Sequence, residues 1–164
     1  MSANDYRPHL LVLPEDDANR QIANGFLVEP ELLNSRAIHV LHEAGGWESV
    51  LEIFKRDYVS SMRKYPERRI VLLIDFDGDF GNRKRYVDAN IPINIRERVF
   101  VLGVASEPEV LRSQSGKKFE VIGAALANDC VNNRKDFWNH PLLKHNELEL
   151  DRLIRDVRPF LFGV

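Results

Sequence analysis

A chain of 164 residues, 44% hydrophobic and 29% charged, suits one globular domain whose core needs no staples. A net charge of −2 and a pI near 6.2 exclude the global basic footprint of a dedicated nucleic-acid binder, so any polyanion must be met by a local patch or a metal ion. No apolar run approaches the roughly 20 residues that span a bilayer. The opening MSANDYRPHL also lacks the order of a signal peptide, so the expected location is cytoplasmic, with no membrane partner.

HLLVLP (9–14) is a continuous apolar run ending at proline, the pattern of a buried parallel strand. EDDANRQIANGFLVEP then spaces Ile22, Phe26 and Leu27 at helical intervals and stops before Pro30, and either Asp16 or Asp17 can cap this helix. AIHVLH (37–42) predicts a second strand, closed by a Gly-Gly pair. Trp47, Val50, Leu51, Phe54 and Tyr58 predict one amphipathic helix ending near Pro66. Residues 69–75 predict a third strand and 98–105 a fourth. The polar excursion 76–97 between them carries little periodicity and predicts a functional loop.

KKFEVIGAALAND predicts a helix. In the tail, Asn146 and Glu149 have the spacing of a capping box before an apolar face of Leu148, Leu150, Leu153, Ile154 and Val157. Cys130, the only cysteine, excludes an intrachain disulfide and a thiolate metal cluster, and its context predicts an inert thiol. The order β-α-β-α-β-loop-β-α-α calls for a single α/β domain: a compact, Rossmann-like parallel sheet of about four strands, helices on both faces, and C-terminal helices.

Ligands of such sheets gather outside the carboxyl ends of the strands. Glu15, Asp16 and Asp17 follow the first strand, Asp75, Asp77 and Asp79 the third, and Glu107 and Glu109 the fourth. Two carboxylates 4 Å apart repel by about 4 kcal/mol at an effective dielectric near 20, which protonation, a basic partner or a divalent cation offsets. Oxygen-only ligands favour Mg²⁺ or Mn²⁺ over zinc. Strand alternation would send Asp75 and Asp77 to one side and Phe76 to the other. Arg83, Lys84 and Arg85 follow as a basic run that can contact phosphate or nucleic acid, or can simply be a solvated surface.

These residues resemble the TOPRIM domains of topoisomerases, primases and overcoming-lysogenisation-defect nucleases. That family carries a glutamate after its first strand and Asp-x-Asp after its third. HLLVLPEDD supplies Glu15 and LLIDFDGD supplies Asp75 and Asp77, 60 residues later. The likeness covers about residues 8–112 and leaves 113–164 as a helical extension. The chain departs from the family in placing Asp16 where glycine usually follows the glutamate. The resemblance implies Glu15 as general base or acid, Asp75 and Asp77 as Mg²⁺ ligands, Asp79 as a helper, and Glu107 or Glu109 as ligands of a second ion. Without a tyrosine in a recognisable context, it implies nuclease-like hydrolysis of nucleic acid. Substrate, oligomeric state and the need for a partner such as an ATPase stay open.

LVLPEDDANRQIANGFL also resembles the opening of receiver domains, signalling modules in which Asp16 and Asp17 would bind Mg²⁺ and Asp75 would accept phosphate. Ser106 and Lys117 or Lys118 would complete that set. A non-catalytic regulatory module with an acidic edge is the remaining alternative. His140 and His145 read as structural residues around a helix start, and Phe137 and Trp138, beside Arg134 and Lys135, as core packing rather than a base-stacking platform.

Overall fold

Strand β1, His9–Pro14, is buried at all six positions, because helices cover both faces of the sheet it centres. The computed structural model describes residues 5–164. Residues 1–4, on which the signal-peptide reading partly rests, lie outside it. β2 (Ile38–Val40), β3 (Arg68–Leu73) and β4 (Val99–Leu102) complete an all-parallel sheet of order β2-β1-β3-β4. Leu10 pairs with Ile38 on one side and Arg69 on the other, and Ile70 pairs with Val99.

Alternation divides the core in two. Leu10, Val12, Val71, Phe100 and Leu102 face α1 (Asp17–Phe26), α5 (Pro108–Ser115), α6 (Phe119–Val131) and α7 (Glu147–Phe162). Leu11, Leu13, Ile70, Leu72, Val99 and Val101 face α2 (Trp47–Ile53), α3 (Val59–Lys64) and α4 (Phe80–Ala89). On the first face α1 and α6 cross at Gly25 and Gly123. A Cβ on Gly25 would fall on the Glu120 carbonyl, and one on Gly123 on that of Ile22. The architecture is therefore α/β and Rossmann-like, with C-terminal helices. None of the described helices is long and apolar enough to cross a membrane.

Several local expectations change. The helix predicted from Trp47 is α2 and α3 joined by a π-helical turn, Phe54–Tyr58, which keeps Phe54 and Met62 fully buried. The excursion 76–97 is not a loop: it holds α4 and a 3₁₀ segment, Ile93–Arg98. Only Val87 of α4 is buried, so the helix leaves no apolar period in its sequence. α5 has no counterpart among the predicted elements, although Pro108 at its first turn and Gly116 at its left-handed end are start and stop signals.

The capping box does not form, because both its residues are drawn to the open edge of β4. Asn146 Oδ1 accepts from Gly103 N–H at 3.1 Å, and its Nδ2 donates to Gly103 O at 3.0 Å. Glu149 Oε2 accepts from Val101 N–H at 3.1 Å, and Arg152 Nη2 donates to Val99 O at 2.9 Å. Three residues one helical turn apart thus occupy the backbone groups that a fifth strand would otherwise pair. Asn146→Ala leaves the buried Gly103 N–H unmatched, while His145 still donates to Gly103 O, and should cost about 1–3 kcal/mol in urea unfolding. The exposed Leu148→Ala should stay within about 0.5 kcal/mol, and equal losses from the two would sink the edge-pairing account.

Candidate functional site

β1 feeds the crossover to β2 on one side, whereas β3 feeds the crossover to β4 on the other. The carboxyl ends of β1 and β3 therefore flank the point where strand order reverses, the usual ligand crevice of open α/β sheets. Glu15 leaves β1 here. Its N–H donates to Leu73 O at 2.9 Å, and its own carbonyl accepts from Gly45 N–H at 2.8 Å and Gly46 N–H at 3.2 Å. These glycines have φ of 97° and 149°, a region other residues rarely adopt, so the pair predicted to close β2 also clamps Glu15.

The Glu15 carboxylate crosses to the neighbouring strand end: Oε2 accepts from Asp75 N–H at 2.6 Å. Asp75 Oδ1 accepts from Asn19 Nδ2 at 2.9 Å, and the same amide nitrogen donates to Asp16 Oδ1 at 2.9 Å. Asp16, rather than Asp17, caps α1, accepting from Asn19 N–H at 2.9 Å. Asp17 is exposed and held by Arg20 and Gln21. Arg83 closes the opposite side, its Nη1 donating to Asp75 O at 2.7 Å and Asp77 Oδ2 at 2.9 Å.

Strand alternation persists through Phe76, which is buried with Ile70, Leu72 and Ile74 on the second face, opposite Asp75. The backbone then turns: Asp79 N–H donates to Phe76 O at 2.8 Å around Asp77 and Gly78, whose φ values are 48° and 78°. Aspartate and glycine tolerate this left-handed turn. Asp77 consequently leaves the strand pattern and stands exposed at the rim. Its N–H donates to Ser106 O at 3.1 Å, which holds the loop after β4 against the same turn.

Asp75 is 6% exposed and Glu15 9%. Burial pushes Asp75 up to about 8; the Asn19 hydrogen bond opposes this, while Glu15, Asp16 and Asp77 add to it. Burial also raises Glu15, against the Asp75 N–H bond and with help from Asp16 and Asp77. The site is a pair of buried carboxyl groups that resist being charged together.

Other expected residues are placed more loosely. Asp79 and Glu107 are exposed at the starts of α4 and α5, and neither side chain caps its helix. Glu109 is exposed within the first turn of α5. Arg83, Lys84 and Arg85 separate, since successive helical residues point about 100° apart. Lys84 binds Asp88 at 2.7 Å and Glu149 at 3.3 Å, and Arg85 binds Gly81 O and Asn82. Lys117 and Lys118 are exposed before α6. Among the described residues, no three His, Cys, Asp or Glu side chains are gathered tightly enough to hold one metal ion.

Cys130 is buried, and burial pushes its thiol up to about 12, as suits an inert residue. Trp138 is core, its Nε1 donating to Leu126 O at 3.2 Å. His140 accepts from Leu142 N–H at 3.1 Å, whereas His145 donates to Gly103 O at 2.7 Å and packs against Phe76 and Phe80. Asn19 is the residue that sequence reasoning missed. Its signal is a polar side chain on the same helical face as Ile22 and Ala23, where it is fully buried. Comparison with protein-family models, curated proteins and solved structures finds no match, so the site is read from its geometry.

The raised Asp75 value sets a pH dependence. Between about pH 4, where an unfolded aspartate titrates, and about pH 8, the folded state keeps a proton that the unfolded state releases. Stability contributed by this group therefore falls as pH rises through that window. In chelator-containing buffer, Asp75→Asn should melt progressively higher than wild type from about pH 5 to about pH 8. A constant difference across that range would show that Asp75 is not held protonated.

Proposed function

We propose that this protein is a TOPRIM-like, Mg²⁺- or Mn²⁺-dependent phosphodiesterase acting on nucleic acid, with nuclease-like hydrolysis as its reaction. The observation that carries the reading is the contact of Glu15 with Asp75 N–H at 2.6 Å, which joins two buried carboxyl groups at the strand-order reversal. Their mutual repulsion is what a divalent cation relieves. Mg²⁺ fits a site of this kind, since it commonly takes one or two carboxylates and leaves its remaining positions to water and substrate phosphate.

Asp75 is the proposed principal ligand, held in orientation by Asn19. Glu15 is the proposed second ligand or the general base or acid. Asp77, Asp79 and Glu107, on turns at the rim, are the proposed outer set, with Asp77 already paired to Arg83. The Arg83 guanidinium, in contact with Asp75 O and Asp77, supplies positive charge for a phosphate; Lys84 and Arg85 bond to residues outside the acidic pair and contribute less. A bound divalent ion would neutralise a phosphoryl oxygen and lower the pKa of water, the chemistry that phosphodiester hydrolysis needs.

Loss of the principal ligand should exceed the roughly 10- to 100-fold effect typical of residues that only support a ligand. Asp75→Ala should therefore reduce Mg²⁺-dependent cleavage of nucleic acid, and Mg²⁺ affinity by calorimetry, by more than about 100-fold. Equal cleavage by wild type and variant would reject this assignment. Cation binding without cleavage would favour the regulatory-module reading, and a mass gain from a small phosphodonor, abolished by Asp75→Asn, the receiver-like one.

A further inference from the structure

We propose that the groove between α2 and α4 is a nucleobase subsite, so that the substrate engages this protein as a single strand with an unpaired base. This inference rests on the phosphodiesterase reading and specifies its substrate. The groove has a volume of about 470 Å³ and is lined by Glu48, Leu51, Glu52, Lys55, Arg56 and Tyr86. Tyr86 is 55% exposed, a large aromatic side chain left in contact with water at the groove wall.

The groove is joined to the acidic site by an unbroken series of contacts. Tyr86 packs edge-to-face on Trp47, with ring centroids 5.6 Å apart. Arg83 lies over the Trp47 ring at 4.5 Å and reaches Asp75 O at 2.7 Å with the same guanidinium. Arg83 and Tyr86 are three residues apart on α4, about 4.5 Å along its axis. A phosphate drawn to Arg83 and to a divalent cation held by the paired carboxylates would thus leave its attached base within reach of Tyr86.

The lining suits a base better than a second phosphate. Arg56 is neutralised by bidentate contact with Asp57, and Lys55 is bonded to Asn90. Glu48 and Glu52 add carboxylates that repel phosphate and can accept hydrogen bonds from exocyclic amino groups. An aromatic wall beside such acceptors binds the face and edge of a base, and a base inside a duplex presents no free face.

Fluorescence anisotropy with labelled single-stranded DNA and RNA, the matching duplexes and an abasic strand, in Mg²⁺ and in chelator, tests the assignment. Wild type should bind a single strand more tightly than its duplex or an abasic strand. Tyr86→Ala should weaken single-strand binding by about 5- to 150-fold, and Tyr86→Phe should largely restore it. Mg²⁺ affinity by calorimetry should not change in either variant. Equal single-strand affinity of wild type and Tyr86→Ala, or equal binding of intact and abasic strands, would overturn the proposal. Base-dependent binding with no cleavage and no effect of Asp75→Ala on Mg²⁺ affinity would instead overturn the phosphodiesterase reading while leaving the subsite intact.

Discussion

The hydrogen bond from Asp75 N–H to the Glu15 carboxylate is the interaction on which the rest of the site depends. It spans two adjacent strand ends where connections diverge to opposite sides of the sheet, so it exists only when β1 and β3 pair in register. The register places Pro14 beside Leu73, and the next residues on each strand carry the chain into the crevice. A negative group is held there by a main-chain donor, in a setting that burial makes unfavourable for charge. Such an arrangement stores an electrostatic demand that a cation or a proton can meet.

Around that bond, supports come from both faces of the sheet. Asn19, on α1, ties Asp16 to Asp75 from the first face; Arg83, on α4, ties the Asp75 carbonyl to Asp77 from the second. The glycine pair before α2 holds the Glu15 carbonyl. On the far edge, α7 takes the place of a fifth strand by presenting Glu149 and Arg152 to β4, with Asn146 at its start. His145, next to Asn146, donates to the same Gly103 carbonyl and packs on Phe76, one residue after Asp75. The C-terminal segment thus contacts the loop that carries the acids.

Much of the scaffold is legible in the sequence. Four largely apolar segments mark the strands, and the unbroken runs of the first, third and fourth already imply burial on both faces. Glu15 and Asp75 are legible because each follows or ends such a segment. α4 is not, since Val87 is its one buried residue and the partly buried Phe80 stands at its first position, too few apolar anchors to show a helical period. Asn146 and Glu149 look like a local cap, but long-range pairing with β4 gives each side chain a backbone partner that local spacing cannot reveal. Asp77 departs from strand alternation because an Asp-Gly turn takes the backbone into the left-handed region.

What the sequence determined by itself is therefore the set of strands and the acids at their ends: both follow from apolar runs whose length and termination are local properties. Only the tertiary structure decided which acids meet. Strand order, register and the helices on either face bury Glu15 and Asp75 together, leave Asp77, Asp79 and Glu107 at the rim, and scatter the basic run around α4. Those outcomes depend on contacts between residues far apart in the chain, 60 positions for Glu15 and Asp75, whose geometry no local pattern encodes.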